Sequence, residues 1–209
     1  MAWTNLAGIS LENDYARLRP IAFTDRAALA EIAFDADIWR YFVQRIDADV
    51  DLDRFIKQAV EDNAAARRVV FVVIDKAADT VAGSMAYGNL VEADRRLEIG
   101  WSWLGRTSRG TGLNRWAKFL LLQHAFEQLD CDRVEFKTDV LNLQARKGLL
   151  NIGATEEGVL RSFNYMPDGR RRDAIYYSIL RNEWPTVRSG LLKKVKIAGA
   201  ASELSGAGS

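Results

Sequence analysis

The stretch with the clearest chemical potential runs Leu104-Gly105-Arg106-Thr107-Ser108-Arg109-Gly110-Thr111-Gly112-Leu113-Asn114, between a strand-like and a helix-like segment. Gly110 and Gly112 let a ligand approach the backbone closely and permit dihedral angles that other residues avoid. The first amides of the following helix have no intrahelical acceptor, and that helix end is partly positive, so the segment suits a phosphate. Arg106 and Arg109 add full charges for the same anion. The stretch lacks the Gly-Lys-Ser/Thr of a Walker loop and the glycine spacing of a dinucleotide fingerprint. Taken alone, it reads equally well as a plain turn whose glycines serve only the backbone.

Such a loop needs a scaffold, and the chain alternates strands and helices from about Tyr15 to Trp184. A strand fits Tyr15 to Ile21, and Thr24-Asp25 can cap a helix carrying Leu29, Ile32 and Ala33. A second helix fits Leu52 to Ala66. Val69 to Ile74 is an uninterrupted β-branched and aromatic run, as in a strand buried on both faces. Asp75 to Asp79 turns it into an antiparallel partner over Thr80 to Tyr87. In the strand Arg95 to Leu104, alternation puts Leu97, Ile99, Trp101 and Trp103 on one face, with Glu98, Gly100 and Ser102 on the other. After the loop, Leu113, Trp116, Ala117, Leu120 and Leu121 form one apolar stripe of a long helix. A strand from Arg133 to Val140 follows, then a helix from about Asn142 to Ile152 closed by Gly153. Strands near Ala154 to Leu160 and Arg172 to Leu180 flank a Pro167-Asp168-Gly169 turn. The unit around residues 95 to 140 predicts a right-handed parallel crossover, and the whole predicts a mixed α/β sheet with helices on both faces.

Bulk properties set the outer bounds. With 209 residues the chain suits one substantial core and is marginal for two domains. The 29 Lys and Arg against 28 Asp and Glu argue against nucleic acid as a partner, since no bulk positive charge is available. No apolar run approaches the roughly 20 residues that span a bilayer, so no membrane partner is expected. The N-terminus lacks a signal-peptide pattern and the single cysteine forbids an intrachain disulfide, which together predict a cytoplasmic protein. One cysteine and one histidine also predict no metal site. Residues 1–186 are expected to form one domain, and 187–209 an extension that is helical and then disordered, rich in Gly, Ala and Ser from Ala198 onward.

Arg109-Gly110-Thr111-Gly112-Leu113-Asn114 resembles the Arg/Gln-x-x-Gly-x-Gly/Ala pyrophosphate loop of GNAT acetyltransferases. Glu98-Ile99-Gly100-Trp101-Ser102-Trp103, Ala125-Phe126-Glu127, Arg133 to Asp139, Asn142 and Gly153 to Arg161 are similar to the RimJ/RimL-like branch, which acetylates ribosomal protein N-termini. The resemblance implies a largely antiparallel mixed sheet in which the strands Arg95–Leu104 and Arg133–Val140 form a central parallel pair that splays apart. It implies acetyl-CoA as cosubstrate and an amine as acceptor. The pantetheine arm would lie in the splay beside the backbone of Trp103 and Leu104, with pyrophosphate on the amides from Arg109 to Asn114. Asn142 matches a pantetheine-binding position, and Arg146, one turn later, is expected at the nucleotide end. Dimers are common in that branch, which puts a homodimer among the implied partners and leaves the oligomeric state open. Three positions depart from the pattern: Asn114 replaces the last Gly/Ala, Ala145 stands where many relatives have Ser, and Leu149 stands where many have a tyrosine general acid.

Acetyl transfer to an amine needs a neutral amine near the thioester. An α-amine with a pKa of roughly 7.7–8.0 is already about a tenth neutral at pH 7, whereas a lysine amine needs a strong base. Glu98, on the strand expected to line the cleft, is the first candidate base, against the alternative of an ion-paired strand carboxylate. Ser102 shares its nominal face, although a bulge would change that phase. Asp139 is the runner-up. His124 falls on the core stripe of its helix and reads as structural, and Cys131 reads as a packing or surface thiol. Trp39, beside Tyr41 and Phe42, is the candidate for the acceptor pocket. Arg170-Arg171-Arg172 reads first as a solvated turn and second as a site for an acidic substrate segment. The functional expectation is direct transfer from acetyl-CoA to a primary amine of a small molecule or a protein N-terminus. A non-catalytic CoA-binding sensor and an unrelated nucleotide-phosphate binder are the alternatives.

Overall fold

Residues 69–75 (Val-Val-Phe-Val-Val-Ile-Asp) place an apolar side chain on both faces of a strand, and such a strand must be central in a sheet covered on both sides. The computed structural model, which describes residue 3 and residues 6–193, builds the fold around this segment. The strands are β1 (Leu11–Glu12), β2 (Ala16–Pro20), β3 (Val69–Asp75), β4 (Thr80–Val91), β5 (Arg96–Leu104), β6 (Arg133–Asp139), β7 (Thr155–Tyr165) and β8 (Arg171–Leu180). They form one sheet in the order β1-β2-β3-β4-β5-β6-β8-β7, antiparallel throughout except for the β5/β6 pair. The expected mixed sheet with one parallel pair is thus observed.

The helices are α1 (Arg26–Ala33), α2 (Ala36–Trp39), α3 (Asp49–Ala64), α4 (Leu113–Glu127) and α5 (Leu143–Asn151), followed by helical residues 184–193. Alternate residues of β3 feed two different cores. Val69, Phe71 and Val73 pack with Leu113, Ala117, Leu120 and Leu121 of α4. Val70, Val72 and Ile74 pack with Leu29 of α1 and with Leu52, Phe55 and Ile56 of α3. At roughly 1.5–3 kcal/mol per buried large aliphatic or aromatic side chain, these layers are the main hold on the sheet. Among the described residues, no helix is long and apolar enough to cross a membrane.

The alternation expected for β5 breaks at Trp101, which takes φ 49°. Gly100 pairs with Ala86 and Trp103 with Ser84, so three steps along β5 oppose two along β4. That extra residue is a bulge. It carries Trp101 and Trp103 into the core under α1 and α3, away from Leu97 and Ile99, which stay with α4. The register likewise puts Trp103 on the face of Glu98 and turns Ser102 to the other. β7 extends to Tyr165, five residues beyond its expected end, and is exposed along almost its whole length. The expected disordered segment 198–209, like the rest of 194–209, lies outside the described residues.

Candidate active site

β5 and β6 pair only at Arg96/Arg133, Leu97/Val134 and Glu98/Glu135. Beyond Glu98 the two strands separate, and from Ile99 to Leu104 β5 pairs with β4 alone. The separation opens a cavity of about 1010 Å³. On the α4/α5 side its wall includes Asn114, Lys118, Ala145 and Leu149; on the α1–α3 side it includes Ile38, Tyr41, Phe42, Lys137, Phe163 and Arg172. The cavity therefore runs through the sheet, with Glu98 lining it at the point where the parallel pair ends.

The glycine loop lies at the α4/α5 mouth. Gly110 has φ 80° and Gly112 φ 92°, both in the left-handed region that glycine tolerates best. A Cβ at either position would meet no protein atom within 4 Å, so the backbone faces open space. Gly112 caps α4, its carbonyl accepting from the Arg115 and Trp116 amides. The Leu113 amide is held by Thr111 Oγ1 at 3.3 Å. The amides of Gly110, Thr111, Gly112 and Asn114 have no acceptor among the described residues. These donors, the helix end and the unpaired edge of β5 fit the pyrophosphate and amide groups of a CoA arm. Asn142 caps α5 through Oδ1, which accepts from the Ala145 amide at 3.0 Å. Only its Nδ2 remains to offer the cavity. Lys118 also lines this wall, donating to Asn114 Oδ1 at 2.7 Å, and burial pushes its amine down to about 8.

Arg106 and Arg109, expected to serve a phosphate, are turned toward α2 instead. Arg109 Nε donates to the Leu104 carbonyl at 3.0 Å and Nη2 reaches Asp35 at 3.2 Å. Arg106 lies 3.6 Å from Asp35 and 3.4 Å from Asp37. The Leu104 carbonyl, on the edge expected to pair with the pantetheine arm, is thus already engaged by Arg109.

On the opposite side, Glu98 is 3% exposed. Oε2 accepts from Asn89 Nδ2 at 2.7 Å, and Lys137 Nζ lies 3.6 Å away. Burial raises the carboxyl above its ordinary value, against the pull of Lys137 and Asn89. A buried carboxylate with a raised pKa, held by one neutral donor and one paired cation, can take a proton from a bound amine. The ion pair expected as the alternative is present, with Lys137 Nζ 3.6 Å from Oε2. Ser102 lines the cavity, yet its hydroxyl donates to the Gly100 carbonyl at 3.3 Å and points away from the face of Glu98.

Three other candidate residues sit outside the cavity lining. Arg146 does not line the cavity: its guanidinium donates to the Tyr177 hydroxyl at 3.2 Å, the Val140 carbonyl at 3.1 Å and Glu156 at 3.4 Å. One turn of α5 after Asn142, the helix already faces β8. Trp39 is 3% exposed, donates to the Ala33 carbonyl at 2.6 Å and packs on Trp103 and Phe42. The cavity wall there is made by its neighbours Ile38, Tyr41 and Phe42. Asp139 is fully buried, accepts from the Leu141 amide and pairs with Arg170, outside the cavity lining.

His124 lies 3.3 Å from the Tyr87 hydroxyl, and burial lowers its pKa, as fits a structural histidine. Cys131 is buried in the core and its thiol is pushed up to about 12, so it is no nucleophile. Lys118 is the cavity residue the sequence reading missed. Its position five residues into α4, one turn from Asn114, was the available signal.

A glycine-rich strand-to-helix loop, an open parallel pair and a buried carboxylate in the opening match the arrangement that the resemblance to acyl-CoA-dependent acyltransferases implies. Residues 16–155 match the family model described as the acetyltransferase (GNAT) domain. The chain belongs to the GNAT N-acetyltransferases of the RimJ/RimL type. It is 34% identical over 105 residues to the "Putative ribosomal N-acetyltransferase YdaF" of Bacillus subtilis, a stretch covering 50% of this chain and 56% of that one. It is 28% identical over 170 residues to the "Uncharacterized N-acetyltransferase p20" of Bacillus licheniformis, covering 80% and 93%. Among solved structures, a GCN5-related N-acetyltransferase from Brucella melitensis superposes with a TM-score of 0.81 at 24% identity, covering 88% of this chain and 84% of that one.

Proposed function

We propose that this enzyme moves the acetyl group of acetyl-CoA directly onto a primary amine, with Glu98 as the general base. When bound, acetyl-CoA supplies an activated thioester. On this reading the loop amides from Gly110 to Asn114 hold the pyrophosphate, the β5 edge beside Trp103 and Leu104 holds the pantetheine, and Asn142 Nδ2 donates to it. Glu98 takes the amine proton as the C–N bond forms and the C–S bond breaks, and the departing thiolate takes up one proton from solvent, to which Glu98 returns its own. A free thiol has a pKa near that of cysteine, about 8.5, so the departing thiolate needs only a weak acid. Leu149, an apolar wall residue where a tyrosine acid was sought, is compatible with that. Residues 1–186 would form the catalytic domain and no metal would take part.

The observation that carries the reading is Glu98 itself, buried at the end of the parallel pairing and lining a cavity that reaches both faces of the sheet. The relative named for a ribosomal role makes a protein N-terminus one acceptor to try, beside free amino acids and polyamines. Thiol release from acetyl-CoA across such a panel is the test. Turnover with at least one primary amine is expected. Failure to bind acetyl-CoA at millimolar concentration would remove the proposal, and tight binding with no turnover would favour a sensor.

A further inference from the structure

The acceptor half of the cavity holds a guanidinium with nothing to bind. Arg172, on β8, is 6% exposed, and its Nε is buried without a hydrogen-bond partner. Among the described residues it forms no ion pair and its side chain no hydrogen bond. The nearby carboxylates are committed elsewhere. Asp139 takes the Arg170 guanidinium and the Leu141 amide, and Glu98 takes Asn89 and Lys137. Both act on Arg172 only through space, while burial pulls its pKa down. A guanidinium does not lose its proton in this way, so it stays charged and poorly compensated. Its two neighbours in the run behave differently: Arg170 pairs with Asp139 and Arg171 bonds to Ser162.

Arg172 also lines the cavity, together with Glu98, Lys137 and Tyr165. A planar guanidinium fork suits a carboxylate, to which it can donate two parallel hydrogen bonds. We infer that Arg172 is the specificity-determining residue of the acceptor half, and that the acceptor is an amine carrying a carboxylate a few bonds from its nitrogen. The inference rests on the acetyl-transfer reading above. The amine faces Glu98, which removes its proton, and the carboxylate pairs with Arg172, the buried cation that has no other anion. Such an acceptor is either a free amino acid or a peptide N-terminus followed by an acidic side chain.

The test compares acceptors with and without that carboxylate at equal concentrations of the neutral amine, because an α-carboxylate also raises the pKa of its amine. Thiol release from acetyl-CoA is measured with free L-amino acids against their amides, and with Ala-Glu-amide against Ala-Gln-amide. The carboxylate-bearing member is expected to have the higher kcat/KM by about tenfold to a hundredfold, the range of a charge-assisted pair. Preference in the amino-acid series assigns a free amino acid; preference confined to the dipeptides assigns an acidic N-terminal segment. Arg172→Met should abolish the ratio while leaving acetyl-CoA affinity within about twofold, and Arg172→Lys should keep its direction.

Three results would each overturn the inference: amides reacting as well as or better than the acids, a preference that survives in Arg172→Met, or turnover confined to uncharged amines and polyamines. The wild-type comparison stands even if a variant folds poorly. Wild-type protein that cannot bind acetyl-CoA would fail the acetyl-transfer reading itself, and this inference with it.

Discussion

The two walls of the cavity are made of different material. The α4/α5 wall combines Gly110 and the loop beside it with Ala145, Leu149 and the polar side chains of Asn114, Lys118 and Asn142. The opposite wall, proposed to take the acceptor, sets Glu98, Lys137 and Arg172 from three strands among Ile38, Tyr41, Phe42 and Phe163. On the proposed function, the backbone amides of this wall bind what every catalytic cycle shares, because they are fixed by the helix and do not titrate, with the Lys118 amine as a titratable group beside them. A wall of buried charges can tell acceptors apart and move protons, at a cost in desolvation that only a partner or substrate offsets. The difference teaches where variation should be expensive in rate and where in affinity.

The strongest way to break this division is Glu98→Gln. The change keeps the shape and the contact with Asn89 but removes the carboxylate proposed as the base. A fall in kcat of about a hundredfold to ten-thousandfold is expected, with acetyl-CoA affinity unchanged by calorimetry. In the wild type, kcat/KM should rise with pH through a value above the ordinary 4.5 for glutamate, because the base acts only when ionised. That limb should vanish in the variant. The stability linkage has the opposite sense. The folded carboxyl titrates above the unfolded one, so its contribution is full below about pH 4.5 and is lost as pH rises through the raised value. Denaturant titrations of the two proteins should therefore converge at low pH and diverge toward neutrality. A variant that weakened acetyl-CoA binding as much as turnover would show that the walls are not separate.

Gly112→Val tests the other wall. At φ 92° a β-branched residue is strained by about 1–2 kcal/mol, and its Cβ would meet no protein atom within 4 Å, only the open space at the loop. Acetyl-CoA affinity should fall by about tenfold to thirtyfold, while kcat at saturating acetyl-CoA stays near wild type. Equal loss in both quantities would mean that the loop also positions the reacting groups.

The same division explains what could be read from the sequence. The α4/α5 wall depends on local order: a strand, two glycines and a helix within a short stretch, so Gly110, Gly112 and Asn142 were all placed correctly at element ends. The place of Glu98 in the cavity lining follows from the position of its strand. The failures come where tertiary geometry overrules period. The bulge at Trp101 is invisible in the alternation, and it moved Trp103 and Ser102 to faces opposite those expected. Trp39 was judged by its aromatic neighbours, but a four-residue helix turned it inward, toward Trp103. Arg172 sat in a run of three arginines whose composition suggests solvent; the pleat of β8 alone separates its buried face from that of Arg171.

The smallest expected effect lies at the seam between the walls, where Arg109 ties the end of β5 to Asp35. Asp35 is held below its usual value first by its bond to the Asp37 amide, then by the charges of Arg109 and Arg106. Two functions are available to Arg109. If it remains a tie, Arg109→Gln removes a half-exposed ion pair and one bond to the Leu104 carbonyl, contacts that contribute little in high dielectric. Acetyl-CoA affinity should then change by less than about threefold, and its dependence on salt should match that of the wild type. If Arg109 swings onto the pyrophosphate, the loss should be about tenfold, and the affinity of the wild type alone should fall steeply with ionic strength. The geometry favours the tie, because Nε and Nη2 are both engaged and the free amides of the loop can hold the phosphate without them. Titrations at low and at physiological salt, on both proteins, decide between an amide wall that is self-sufficient and one that borrows a charge.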